Sequence, residues 1–194
     1  MKNIAVIHGL NSTSHSFASL LTGLPRSNFY MVDYDSSQSL EESISQCEDQ
    51  VKNIENLHLI GFSLGGVIAA ILANKLSNVA SLTTISAPLG GSKTASFMML
   101  LPGASPVFAD ICEHSPYIKL CGELNLSIPT LSIITQNGLI PFTLERGDGV
   151  VSTTSQASLH CAHHAEINAS HFGALSHPQT LRLITNFLYG ENNE

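Results

Sequence analysis

Short apolar runs alternate with longer stretches whose apolar residues recur at helical spacing, from one end of the chain to the other. Asn3–Ile7 is an apolar run that breaks at His8-Gly9, which predicts a buried strand followed by a tight turn. Residues 12–21 read as a helix, broken by Gly23 and Pro25, and residues 29–32 as a second strand ending in the polar Asp33-Tyr34-Asp35. The clearest amphipathic helix covers 39–54, where Leu40, Ile44, Cys47, Val51 and Ile54 share a face and Ser39 with Glu42 supplies a capping-box start. Leu57–Phe62 is a third strand that turns sharply over 61–66, and 67–76 reads as a buried helix. Strands follow at 80–85, closed by Ala87-Pro88, at Thr130–Thr135 and at 165–168; the last helix is Pro178–Tyr189, with Leu181, Ile184 and Leu188 on one side.

Strands alternating with helices imply parallel βαβ units. The expected fold class is α/β: a mostly parallel sheet of about six strands with helices on both faces. The length suits one domain over 1–194. The stretch 89–129, between the fourth and fifth strands, is long for a simple connection and reads as a lid-like insertion.

Composition narrows the partners. Hydrophobic residues make up 43% of the chain and charged residues 12%, which suits a packed core and argues against disorder. With 8 Lys and Arg, a net charge of −7 and no basic run, the chain offers no footprint for nucleic acid or for an anionic membrane surface. No apolar run approaches the ~18 residues of an integral membrane segment. The N-terminal apolar run, 4–7, is too short for a signal peptide, which points to the cytoplasm unless a leader precedes this sequence. Cys47, Cys112, Cys121 and Cys161 match no zinc or redox spacing and read as reduced thiols. Cys112 and Cys121 are spaced to close a short loop if the chain is exported. Nothing in the sequence sets the oligomeric state.

The candidate chemistry centres on Gly61-Phe62-Ser63-Leu64-Gly65, a G-x-S-x-G motif with an extra Gly66, between an apolar strand and an apolar helix. A chain reversing from strand to helix in so few residues crowds its neighbours, and glycine on either side of the serine removes the clash. The hydroxyl of Ser63 is then held out at the strand's carboxyl end as a nucleophile. Acyl transfer also needs backbone N–H groups aimed at a developing oxyanion. Leu64, after the serine, and Leu10, in the loop after the first strand, are the expected donors; Gly9 lets that loop come close, and His8 reads as structural support for it.

Two aspartates follow Ser63: Asp110, inside the insertion, and Asp148, flanked by Gly147 and Gly149 in a turn after the fifth strand. Asp148 is the expected acid, with Glu166 the runner-up. Among His160, His163, His164, His171 and His177, the expected base is His171, in a loop that can reach across the sheet's edge to Ser63. His177 precedes Pro178 and reads as a helix-entry residue. The run His160-Cys161-Ala162-His163-His164 is rich in ligand types, but no second fixed pair completes a tetrahedron, so no metal is expected. No organic cofactor is needed either. Phe62, Phe97 and Met98, with Met99, Leu100 and Leu101, are candidates to line a pocket for an apolar acyl chain; the 97–101 cluster serves equally as packing for the lid.

At these residues the chain resembles the α/β-hydrolase superfamily, specifically small bacterial lipases and related esterases. The resemblance rests on Val6-Ile7-His8-Gly9-Leu10, Ile60-Gly61-Phe62-Ser63-Leu64-Gly65-Gly66 and Thr84-Ile85-Ser86-Ala87-Pro88-Leu89-Gly90-Gly91-Ser92. It continues in Gly147-Asp148-Gly149-Val150-Val151 and His171-Phe172-Gly173-Ala174-Leu175. It implies a hydrolase fold that begins at the family's central strand, an oxyanion hole from Leu10 and Leu64, and the acid at Asp148. The implied substrate is a small or lipid-like carboxylic ester. A thioesterase or amidase would use the same three side chains, and a non-catalytic binding protein on this fold would be marked by the loss of one; Ser63, Asp148 and His171 are all present.

Overall fold

The computed structural model describes residues 1–141 and 143–190. In chain order it runs through β1 (Asn3–Ile7), a 3-10 turn (Ser14–Phe17), α1 (Ala18–Gly23), β2 (Asn28–Val32), α2 (Leu40–Val51), β3 (Leu57–Phe62), α3 (Leu64–Lys75) and β4 (Val79–Ile85). Three short helices follow, α4 (Lys93–Met98), α5 (Val107–Asp110) and α6 (Pro116–Glu123), then β5 (Thr130–Thr135) and a small hairpin of β6 (Gly138–Leu139) and β7 (Arg146–Gly147). The chain continues through α7 (Thr153–Gln156) and β8 (His163–Ile167) to α8 (Pro178–Tyr189).

Six strands form one sheet in the order β2-β1-β3-β4-β5-β8, and every neighbouring pair is parallel. All six carboxyl ends therefore open on one rim. Successive side chains along a strand face opposite sides, and the core divides accordingly. Ala5 and Ile7 join the cluster under α2 and α3, while Ile4 and Val6 join the cluster with Phe17 and Leu20 of the α1 side and Ile184 and Leu188 of α8. The α3 segment 64–73 is buried all round, as a helix without a polar stripe must be. Ser39 caps α2 in a full capping box with Glu42.

Several boundaries differ from the sequence reading, three of them for a reason the structure shows. The stretch 12–21 opens as a 3-10 turn, because Asp33 at the end of β2 takes both the Ser14 N–H and its hydroxyl at 2.7 and 2.8 Å and pins the chain there. Helix α3 begins at Leu64, directly after the serine, because Gly65 and Gly66 are drawn into its first turn. The last strand starts at His163, two residues earlier than its apolar pattern suggested, since His163 and His164 pair with Leu131 and Ser132 while exposed on the sheet's edge. Within 89–129, α5 packs against both α4 and α6. Asp110 reaches out of that segment to accept the Leu40 N–H of α2 at 2.8 Å. No helix among the described residues is long and apolar enough to cross a membrane.

Candidate active site

Ser63 sits between β3 and α3 with φ 53° and ψ −122°. A non-glycine residue in this region carries real strain and persists only where its surroundings impose it. Here they do. A Cβ on Gly61 would lie 2.3 Å from the Gly65 carbonyl oxygen, one on Gly65 2.1 Å from the Ile7 oxygen, and one on Gly66 2.5 Å from the Ala87 Cβ. The reversal is thus wedged against the end of β1 on one side and the turn after β4 on the other. Ser63 N–H donates to the Ile85 oxygen at 2.9 Å, which fixes the start of the turn.

His171 Nε2 lies 3.0 Å from Ser63 Oγ, and its Nδ1 lies 2.8 Å from Asp148 Oδ2. A carboxylate only accepts, so Nδ1 carries the proton and Nε2 is the free base facing the serine hydroxyl. The His171 and Asp148 side chains are both buried, and the two loops are laced together by His171 N–H donating to the Asp148 carbonyl at 3.0 Å. Phe62 packs on the His171 ring at 5.0 Å between centroids, and Phe172 meets it edge-on at 5.5 Å.

Asp148 occupies a site built to keep it ionised. Its Oδ1 accepts the N–H groups of Val150 and Val151 at 2.9 and 2.8 Å, with Gly149 at φ 97° making the tight return possible. Its Oδ2 accepts Thr135 Oγ1 at 2.7 Å as well as His171. Burial alone would raise its pKa, but the His171 proton and charge, Thr135 and the Val151 amide outweigh that and hold the carboxyl below its ordinary value. Ser86, at φ 52° after β4, donates in turn to Thr135 Oγ1 at 2.8 Å. Gln156, fully buried, brackets the strand end by accepting the Thr135 N–H at 2.8 Å and donating to the Thr135 and Val151 carbonyls at 3.0 Å each. Thr135, Ser86 and Gln156 drew no notice in the sequence. Ser86 lies inside a stretch that carries the family resemblance; the other two leave no local signal.

Other acid and base candidates stand elsewhere. Asp110 caps α2, Glu166 is exposed on β8, His164 Nε2 faces the Leu159 carbonyl at 3.1 Å, and His177 caps α8 through the Gln179 N–H. Cys47, Cys112, Cys121 and Cys161 are unpaired thiols, and burial pushes those of Cys47 and Cys121 up to about 12. No group of three His, Cys, Asp or Glu among the described residues is arranged to hold a metal ion.

A cavity of about 660 Å³ opens above Ser63. Its walls come from the loop after β1 (Leu10, Asn11), from Phe62 and Leu64, from Ala95, Met98, Phe108 and Ile111 of the 89–129 segment, and from Val150, Phe172 and Leu175. His171 is the single ionisable side chain among the described residues that line it. Phe97, one residue before Met98 on α4, is not part of the wall, since neighbours on a helix point about 100° apart. Gly9, just before Leu10, comes close to the serine: a Cβ on Gly9 would stand 3.1 Å from Ser63 Cβ. Leu64 is the first residue of α3, so its N–H has no partner within the helix. A hydroxyl, an imidazole and an ionised carboxylate in hydrogen-bonded series beside an apolar cavity can deprotonate the hydroxyl as it attacks a carbonyl.

No family profile matches the chain, and no curated protein matches it in sequence. Solved structures resemble it closely in shape. A lipase of Bacillus licheniformis in its mature form superposes with a TM-score of 0.77 at 14% identity, over 96% of this chain and 91% of that one. A metagenomic carboxyl esterase superposes with a TM-score of 0.71 at 13% identity, over 100% of this chain and 76% of that one. An extracellular α/β-hydrolase of a Paenibacillus species superposes with a TM-score of 0.65 at 15% identity, over 100% of both. The chain has the α/β-hydrolase fold.

Proposed function

We propose that this protein is a serine hydrolase that cleaves carboxylic esters through an acyl-enzyme, as one α/β-hydrolase domain with the 89–129 segment as its lid. The observation that carries the reading is the placement of His171, 3.0 Å from Ser63 Oγ and 2.8 Å from Asp148 Oδ2. Ser63 Oγ attacks the acyl carbonyl while His171 Nε2 takes its proton, and Asp148 stabilises the imidazolium that forms. The carbonyl electrons move to an oxyanion held by the Leu10 and Leu64 N–H groups. Collapse expels the alcohol, which leaves with the proton from His171. A water then gives a proton to Nε2, attacks the acyl carbon, and releases the acid as Ser63 Oγ recovers its hydrogen.

The cavity argues for an uncharged ester with an apolar acyl chain. Apart from His171, its described walls offer no cationic side chain to offset the charge of a phosphate or carboxylate on the substrate. Phe62 and Met98 lie against the space the acyl chain would fill.

A labelled fluorophosphonate and a panel of esters, thioesters and amides of graded acyl length test the proposal. Labelling and ester turnover by the wild type, both lost in Ser63→Ala, support it. A wild type that neither labels nor turns over any member would make the chain a binding protein on a hydrolase fold. Turnover confined to thioesters or amides keeps the triad and moves the substrate class.

A further inference from the structure

His8 is buried and makes no hydrogen bond or ring contact with Ser63 or His171, yet it is held by several partners. Its Nδ1 lies 2.8 Å from the Gly9 carbonyl oxygen. Its Nε2 faces the Tyr34 N–H at 3.5 Å and Asp33 Oδ1 at 3.6 Å. Its ring stacks on Tyr34 at 4.3 Å and 13° between planes, and its own carbonyl accepts the Tyr34 hydroxyl at 2.8 Å. A carbonyl oxygen only accepts, so Nδ1 of His8 carries a proton and donates it.

The Gly9 carbonyl and the Leu10 N–H belong to one peptide unit. That unit is trans, so its C=O and N–H point in opposite directions and turn together. A donor that clamps the oxygen thereby fixes the direction of the Leu10 N–H as well. Gly9 approaches Ser63, and Leu10 borders the cavity. The Leu10 N–H makes no hydrogen bond among the described residues. Gly9 on its own offers little resistance to a flip of this peptide, because glycine accepts backbone angles that other residues avoid. We infer that His8 is a positioning residue for the oxyanion hole: its Nδ1–H, by holding the Gly9 oxygen, fixes the Leu10 N–H toward the reacting carbonyl. This rests on the serine-hydrolase reading. It assigns His8 a part in catalysis that acts through a peptide plane and requires no contact with substrate.

Asparagine and leucine have nearly the same branched shape, and the Asn amide nitrogen stands close to where a histidine Nδ1 would be. His8→Asn keeps a donor for the Gly9 oxygen and His8→Leu removes it. Because an oxyanion exists only in the transition state, loss of its donor falls on kcat and leaves KM alone. We expect His8→Leu to lose on the order of 10² in kcat with KM within about threefold, His8→Asn to recover most of it, and an alkyl boronic acid to bind His8→Leu more weakly in proportion. If His8→Leu does not fold, His8→Ala, which removes the donor without adding bulk, takes its place in every comparison. Wild-type kcat in the donor-less variant, or equal loss in His8→Asn and the donor-less variant at matched thermal stability, overturns the inference. Ser63→Ala is assayed alongside: full activity there refutes the serine-hydrolase reading itself, and this inference with it.

Discussion

Thr135 Oγ1 lies 2.7 Å from Asp148 Oδ2, so a hydroxyl at the end of β5 donates to the same carboxylate oxygen that receives the Nδ1–H of His171. The hydroxyl has one proton, and it goes to the carboxylate; its lone pair takes the proton of Ser86. On Oδ2 the charge of Asp148 is met by the imidazole and this hydroxyl pair, while the Val150 and Val151 N–H groups meet it on Oδ1. Thr135→Val keeps the shape and removes the donor. A hydrogen bond to a charged group is worth about 1.5–3 kcal/mol, so the carboxylate of the variant becomes more basic and holds an imidazolium more tightly. The acid limb of the kcat/KM–pH profile should move to higher pH, by up to about one unit. An unmoved limb, at unchanged stability, would show that the hydroxyl serves packing alone.

Asp148→Asn should lower kcat on the order of 10⁴, because an amide donating to Nδ1 puts the proton of His171 on the nitrogen that must accept one. The comparison of Ser63→Ala with Asp148→Asn in single-turnover assays checks this.

The same substitution separates a stability effect. The Asp148 pKa in the folded chain lies below its ordinary 3.8, burial being outweighed by His171, Thr135 and the Val151 amide. Ionised Asp148 therefore favours folding; the contribution is whole above pH 3.8 and is lost as pH falls through the lowered value. As pH falls below about 4, melting temperatures should drop more steeply for the wild type than for Asp148→Asn. Parallel curves would contradict it.

Gly65→Ala and Gly122→Ala should move in opposite directions. A Cβ at Gly65 meets the Ile7 oxygen at 2.1 Å, a backbone atom that cannot step aside without breaking the end of β1. A loss of several kcal/mol is expected, together with the loss of any Ser63 reactivity. Gly122 lies within α6 with nothing within 4 Å of an added Cβ, so alanine there should stabilise the chain by about 0.5–1 kcal/mol. Chemical denaturation of both variants decides.

Met98→Asp tests the acyl wall. Met98 is partly exposed, so the fold should tolerate the change. Placing a charge against an apolar chain should cut kcat/KM for long acyl esters roughly tenfold while acetyl esters are nearly unaffected. Uniform loss across acyl lengths would put Met98 outside the acyl path.

The order of elements and the sharp turn at Ser63 were legible in the sequence because they are local. Alternating apolar runs, a glycine on each side of the serine and the capping box at Ser39 all act within a few residues. That Asp148 and His171 come together beside Ser63 was legible for a different reason: few aspartates and histidines follow Ser63, and strand order leaves few loops able to reach it. Thr135 and Gln156 were not. A threonine ending a strand and a glutamine in a polar run look ordinary until β5 and α7 meet, and their value comes from bonds made across the fold. The 97–101 cluster shows the limit within one helix. Composition marks it as apolar, but only the rotation of α4 decides that Met98 faces the cavity while Phe97 does not.

The carboxylate of Asp110 belongs to the segment that lines one part of the cavity, yet it satisfies an amide at the tip of α2, on the body of the protein. Swinging that segment away as one piece would leave the Leu40 N–H without its acceptor, at a cost of about 1 kcal/mol. If 89–129 is the lid proposed above, entry for substrate is thermodynamically tied to the fraying of a distant helix end. The exchange rate of one backbone proton, at Leu40, would then be a remote gauge of how often that contact opens.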